Sequence, residues 1–401
     1  MLKPDEFFEA PRSWSILKYK ILDKYLSQYF PKVNQKYMSP AVVADLFAGK
    51  GKFDDGSEGS ATIISKHAKR YKDRLGYSNQ VVLSDQDPRN CAELSINLKE
   101  YVDENIVRII PGDATDVGQL LLGAIKPGVP LFVLLDPCGI KGLSMDLLLQ
   151  IFKRAKADST EVLINFNHRA IYRLAGICKN INSKNVTEKR QAVSIMKIFS
   201  QTFGGDWWLQ IIMDEQLPEK LKAQKLQEQY IAILRDNFKW IGFLPVTRGM
   251  PDESVKYYLV FASQSAVAFE LMNDVMKKSW DEMIKEIINK QNVGTLFEGE
   301  DASRFVPVRF RIQIGVMAQM VLNEIRAIVK SEASYVGNPY NVIVHRPQLR
   351  YQLISRRFGR YTSSEYNEAV KILLQKGIIV AETEKARISD PIGFKLKPDF
   401  S

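Results

Sequence analysis

The chain has 401 residues, 45% apolar and 25% charged, with a formal net charge of +10, enough for two domains with real cores and too hydrophobic for disorder to dominate. Three widely spaced cysteines (Cys91, Cys138, Cys178) exclude a disulfide scaffold and a Cys-x-x-Cys zinc centre, and three histidines leave little for a metal site. No apolar run reaches bilayer length and the acidic start MLKPDEFFEAP has no secretion core, so a cytoplasmic protein that does not enter a membrane is expected.

In chain order, residues 12–30 place Trp14, Leu17, Ile21, Leu22, Tyr25, Leu26 and Tyr29 on one helical stripe. VVADLF (42–47) reads as a strand entering a glycine loop, with a helix from about Ser60 to Asp73. QVVLSD (80–85) is a second strand, and Pro88 opens the next helix. VRIIPGD (107–113) is a third strand and PLFVLLDP (130–137) a fourth, apolar throughout as a buried parallel strand is. A helix over 144–155 leads to a fifth strand, EVLINF (161–166). The basic stretch 167–205 interrupts this rhythm and reads as exposed helix. WWLQIIM (207–213), a long polar helix near 215–237, and the pair FKWIGFLPV (238–246) and KYYLVFAS (256–263) follow, with a turn near Gly249-Met250-Pro251 and a closing helix over 264–290. Strand–helix alternation predicts an α/β fold, a doubly wound, mostly parallel seven-stranded Rossmann-like sheet to which the final pair adds an antiparallel edge. Residues 1–290 form the expected first domain, with a basic insertion over 166–205; 291–305 read as a linker. Residues 306–401 read as a small winged-helix-like domain, with helices over 346–358 and 363–377, Gly377 as C-cap and a wing over 378–390.

The positive charge is unevenly spread. Residues 306–401 carry 15 basic and 8 acidic side chains, residues 166–205 carry 7 and 1, and the rest is close to neutral. Two basic regions on a neutral body are the footprint of a polyanion binder, the plainer reading being solvated surface. Arg346, Arg350, Arg356, Arg357 and Arg360 fall in fifteen residues without an acid, as phosphate contacts of a helix-turn-helix would. The helix after them is poor in base-reading side chains, and winged helices also dock proteins. After the fifth strand, Arg169 and Arg173 stand at i, i+4 to grip a phosphate, with Phe166 and Tyr172 as stacking candidates.

The densest motif is Asp45-Leu46-Phe47-Ala48-Gly49-Lys50-Gly51, at the carboxyl end of the first strand, where ligands of doubly wound sheets bind. Gly49 and Gly51 allow a tight bend and close approach. The acid ending the strand disfavours a pyrophosphate and favours a cationic ligand, which points to S-adenosylmethionine (SAM). Three further acids end the next strands: Asp85, with Asp87 as its rival, to accept ribose hydroxyls; Asp113, with Ala114, beside an adenine; and Asp136 beside the transferred methyl. Each alone reads as a helix N-cap; four in successive strands read as a cofactor site.

These motifs resemble class I SAM-dependent methyltransferases. More narrowly, Trp14-Ser15-x-x-Lys18, DLFAGKG followed by Glu58-Gly59-Ser60, DPCG at 136–139, INF at 164–166, FGGDWW at 203–208 and YYLVFAS at 257–263 resemble the three-Cys-motif partner proteins, over residues 12 to about 275. That resemblance implies a SAM cofactor and a radical-SAM-like partner carrying three clustered cysteines. Three acceptor chemistries compete at Asp136-Pro137-Cys138. Asp136 and the Pro137 carbonyl could orient an exocyclic amine of a flipped base. Cys138 could attack a cytosine ring, though no glutamate follows the fifth strand to assist it. A Lys18–Asp136 pair could activate a hydroxyl. The expected function is methyl transfer to a nucleic acid or nucleotide. The rivals are a non-catalytic accessory protein that positions nucleic acid for a partner enzyme, and a DNA-binding adaptor.

Overall fold

The computed structural model describes residues 13–154, 159–247, 255–307, 313–336, 342–382 and 393–397. The turn expected at 249–251 and most of the wing lie outside them, as do the side chains of Trp14 and His168. Chain contacts define two compact units, Met1–Phe269 and Glu270–Ser401.

The first unit opens with α1 (Ser13–Tyr37), whose stripe from Leu17 to Phe30 is buried. Strands β1 (Val42–Asp45), β2 (Gln80–Leu83), β3 (Val107–Ile109), β4 (Leu131–Leu135) and β5 (Thr160–Phe166) alternate with α2 (Ser60–Leu75), α3 (Pro88–Asn97), α4 (Lys99–Asp103), α5 (Ala114–Ala124) and α6 (Met145–Lys153). The basic stretch is helical, as α7 (His168–Cys178) and α8 (Val186–Phe203). Then come α9 (Trp208–Met213), α10 (Glu219–Asn237), β6 (Trp240–Thr247), β7 (Val255–Ser263) and α11 (Ala266–Asn292), which runs from one unit into the other.

The seven strands form one α/β sheet in the order β3-β2-β1-β4-β5-β7-β6. Its chain path reverses between β1 and β4, which pair in parallel with Val43 opposite Phe132. The expected antiparallel edge is corrected in one respect. β7 is the antiparallel strand, but it lies between β5 and β6, and β6 forms the edge. Period-two alternation sorts the core onto both faces. Leu131, Val133 and Leu135 join the core that includes α5 to α10, whereas Phe132 meets Tyr25 and Tyr29 of α1.

The second unit contains most of α11, then α12 (Ile314–Val336), β8 (Val344–His345), α13 (Arg346–Arg356), α14 (Ser363–Gln375), β9 (Ile379–Ala381) and β10 (Gly393–Leu396). The three strands pair antiparallel in the order β8-β10-β9. Asn273 of α11 accepts from Gly359 N and donates to the Tyr361 carbonyl, each at 2.8 Å, and Asp274 accepts from Ser363 N at 2.8 Å. A Thr362–Glu365 capping box starts α14. The cap residue at its end is Lys376, with Gly377 next in the left-handed region at φ +64°. The pattern reading does not anticipate α12.

Candidate functional site

β1 ends at Asp45, and the chain then bends through Gly49 (φ +58°) and Gly51 (φ +79°). A Cβ on Gly51 would stand 2.7 Å from Leu94 Cδ1, so both space and backbone demand glycine there. The bend is locked from outside. The Gly51 carbonyl accepts from Gly59 N (2.9 Å) and Thr62 Oγ1 (2.6 Å), and Asn97 Nδ2 donates to the Lys50 carbonyl (2.8 Å).

Above this bend, at the carboxyl ends of β1, β2 and β4, lies a cavity of about 550 Å³, within the range of small-molecule sites. Phe47, Gly49 and Gly51 line it, with Asp85, Asp87, Asp113, Ala114, Asp136, Pro137 and Cys138. The residues after β2, β3 and β4 that sequence reasoning singles out thus share one cavity. Asp85 braces the bend: Oδ2 accepts from Gly49 N (3.1 Å), and Oδ1 from Asp87 N (2.8 Å) and Asn90 Nδ2 (3.1 Å). Asp87 caps α3, and its bonds from Arg89 hold its pKa down to about 2. Asp113 caps α5, accepting from Thr115 N at 2.9 Å.

Asp45 departs from expectation. It is wholly buried behind the bend and does not line the cavity. Burial raises its pKa to about 7, with a further push from Asp136, against the Ser60 hydroxyl, the Phe47 amide and Lys18. A carboxyl so placed acts on a ligand only through the bend it supports.

Asp136 is anchored from two directions. It pairs with the buried Lys18 ammonium of α1, and Asn165 Nδ2 of β5 donates to its Oδ1 at 2.7 Å. Burial opposes the charge on Lys18, yet Asp136, Tyr19 and Tyr257 together raise its pKa above the ordinary lysine value. Held by these two partners, Asp136 lines the cavity beside Pro137, Cys138 and Gly139. Cys138 is exposed, but the surroundings of its sulfur and the nearby Asp136 raise its thiol pKa. A nucleophilic thiol needs the opposite shift, and Cys138 lines the cavity without that activation.

The proposed nucleic-acid contacts divide. Phe166 is buried and stacked on Tyr230 at 4.6 Å, which removes it as a base platform. Arg169 Nε donates to the Val255 carbonyl at 2.9 Å, a contact that ties α7 to β7, and Arg173 is exposed. In the second unit Arg346 is buried and the half-buried Arg350 pairs with Glu270 at 2.9 Å, so these two serve the fold. Arg356, which reaches Glu324 at 3.2 Å, remains exposed, as do Arg357 and Arg360. Sequence reasoning misses Tyr19 and Phe53, which meet edge-on at 5.9 Å and line the cavity. Neither carries a motif; Tyr19 is marked only by lying beside Lys18 and off the buried stripe.

No protein-family model and no curated protein matches the chain. Among solved structures, it is similar to an O-methyltransferase from Bacillus cereus in complex with SAH, at 10% identity over 60% of this chain and 80% of that one, with a TM-score of 0.33. It is also similar to an rRNA methylase from Streptococcus thermophilus (10% identity, 61% and 93%, TM-score 0.29). A third is the precorrin-6y C5,15-methyltransferase from Geobacter metallireducens GS-15 (13% identity, 59% and 87%, TM-score 0.27). At such values the functional reading has to come from the site's own geometry.

Proposed function

We propose that the chain binds S-adenosylmethionine in this cavity and acts as a methyltransferase on a nucleic acid or nucleotide. The observation that carries the reading is the convergence of strand-end carboxylates on one nucleoside-sized cavity over a two-glycine bend. The donor set fits the group. Asp85 and Asp87 offer acceptors for ribose hydroxyls, Asp113 and Ala114 form the wall for an adenine, and the carboxylates suit a cationic ligand. Bound SAM supplies a methyl group activated by a sulfonium. The chain's contribution is alignment: Lys18 and Asn165 fix Asp136, and Asp136 fixes the Pro137–Gly139 wall against which an acceptor would rest.

One observation favours a second reading, a non-catalytic accessory protein that positions nucleic acid for another enzyme. Lys18 and Asn165 tie down the Asp136 carboxylate, and the thiol pKa of Cys138 is raised rather than lowered. In both readings a radical-SAM-like three-Cys-motif protein, implied by the sequence resemblance, is the proposed partner. The order α12-β8-α13-α14-β9-β10 supports a winged-helix-like module in the second unit, with Arg356, Arg357 and Arg360 offered to phosphates.

Titration calorimetry with SAM tests the cofactor. Wild type binds, and Gly51→Ala, strained in backbone and side chain, loses most of that binding together with about 1–3 kcal/mol of stability. A wild type that takes up no SAM ends the proposal. Transfer of labelled methyl to DNA, RNA or nucleotides, compared with Asp136→Ala, separates the enzyme from the accessory protein.

A further inference from the structure

Helix α8 presents an exposed basic face that neither the cavity nor the sequence motifs account for. Lys184 just ahead of it, and Lys189, Arg190 and Lys197 along it, are exposed. Arg190, Val193, Ser194 and Lys197 follow the i, i+3, i+4, i+7 spacing of one helix face, and Val186 and Val193 are 63% and 52% exposed. The only acid on the helix, Glu188, accepts from the Ser183 hydroxyl at 2.6 Å. On α2, by contrast, lysines are matched by carboxylates: Lys66 pairs with Glu58, and Lys69 with Glu104 and Glu100. α8, with its single acid, differs from α2 over about five turns.

The far end of α8 is tied to the cavity. Thr202 Oγ1 donates to the Ile140 carbonyl at 3.2 Å, one residue beyond the cavity residue Gly139. At the terminus a Cβ on Gly204 would stand 2.7 Å from Met145 Cγ, so this end is seated tightly. At 1.5 Å per residue, Lys197 lies roughly 7.5 Å before Thr202 along the axis, and Arg190 roughly 10 Å before Lys197. That second interval spans about three phosphates of a stacked strand.

We propose that this face of α8 is a track for the backbone of a nucleic-acid strand, leading it to the rim of the cavity. Lys189, Arg190 and Lys197 contact phosphates, and Val186 and Val193 pack against sugars or unstacked bases. The proposal rests on the nucleic-acid acceptor of the function proposed above and assigns the surface that delivers it.

The test uses the full chain and a short fluorescein-labelled single strand of RNA or DNA, with anisotropy read across a salt series. Lys189→Gln/Arg190→Gln/Lys197→Gln should weaken binding by roughly tenfold or more and lower the slope of log K against log salt by about 2. The comparison protein, Lys126→Gln/Lys153→Gln/Lys239→Gln, loses the same charge from exposed lysines just before β4, β5 and β6, at the opposite end of the sheet. It should keep both affinity and slope. Equal losses in the two proteins would reduce the effect to net charge and overturn the track, as would undiminished binding by the α8 variant. Binding of anionic vesicles that depends on α8, without binding of the strand, would assign the face to a membrane surface instead. SAM calorimetry on the same proteins separates the two proposals. SAM binding without any strand binding overturns the track and leaves the cofactor reading standing. Strand binding that depends on α8 without SAM binding upholds the track and overturns the cofactor.

Discussion

Lys18 and Asp136 lie 118 residues apart and form a largely buried pair, with Asp136 on the cavity wall. Removing one partner leaves the other's charge uncompensated, so Asp136→Asn and Lys18→Met should each cost about 3 kcal/mol or more. The double variant should cost clearly less than their sum; additive urea midpoints would show that the two do not interact. Glu161 is a second buried carboxyl, accepting from the Tyr25 hydroxyl within the aromatic cluster of α1. Burial raises its pKa to about 8, although the Tyr25 bond and Lys36 oppose the shift. The folded chain therefore holds this proton through a range in which the unfolded chain has released it. Stability should fall as pH rises from about 4.5 to about 8 and then level off. Glu161→Gln should flatten that decline in melting temperatures taken across the window, and an unchanged slope would assign it to other groups such as Asp45. Glycines at positive φ and acids at strand ends are local signals, and the sequence shows them plainly. The burial of Asp45 and the anchoring of Asp136 are not local, because each depends on α1 and β5 packing against residues distant in the chain.

Among the elements of the second unit, α11 is fastened to the loop before α14. Asn273 bonds two main-chain groups of the loop before α14 through one side chain. Asn273→Ala leaves that amide and carbonyl unpaired and should cost about 2–4 kcal/mol, read as a lower melting transition of this unit. A loss below about 0.5 kcal/mol would mean that water replaces the side chain. The strands of the first unit are readable because each combines an apolar run with a turn signal. The place of β7 between β5 and β6 is not, since a hairpin's order in a sheet is settled by pairing with a third strand. α12 is harder to read because neither an acid in its first turn nor a base in its last turn marks its ends.

On the scale of the whole molecule, exposed basic residues gather on α8 and around the end of α13, while the cavity is lined by Asp85, Asp87, Asp113 and Asp136 together with Lys50, Lys52 and Lys141. Composition alone reveals the two basic regions. Only the structure shows which cations serve the fold, as Arg169, Arg346 and Arg350 do, and which stay exposed. The continuous helix α11 has a practical corollary for dissecting the protein. The sequence suggests a cut near 291–305, but Glu270, Asn273 and Asp274 upstream of it clasp Arg350, the 359–361 loop and Ser363. A recombinant tail trimmed to 306–401 would leave its stabilising latch behind, whereas one begun at 266 would carry it along.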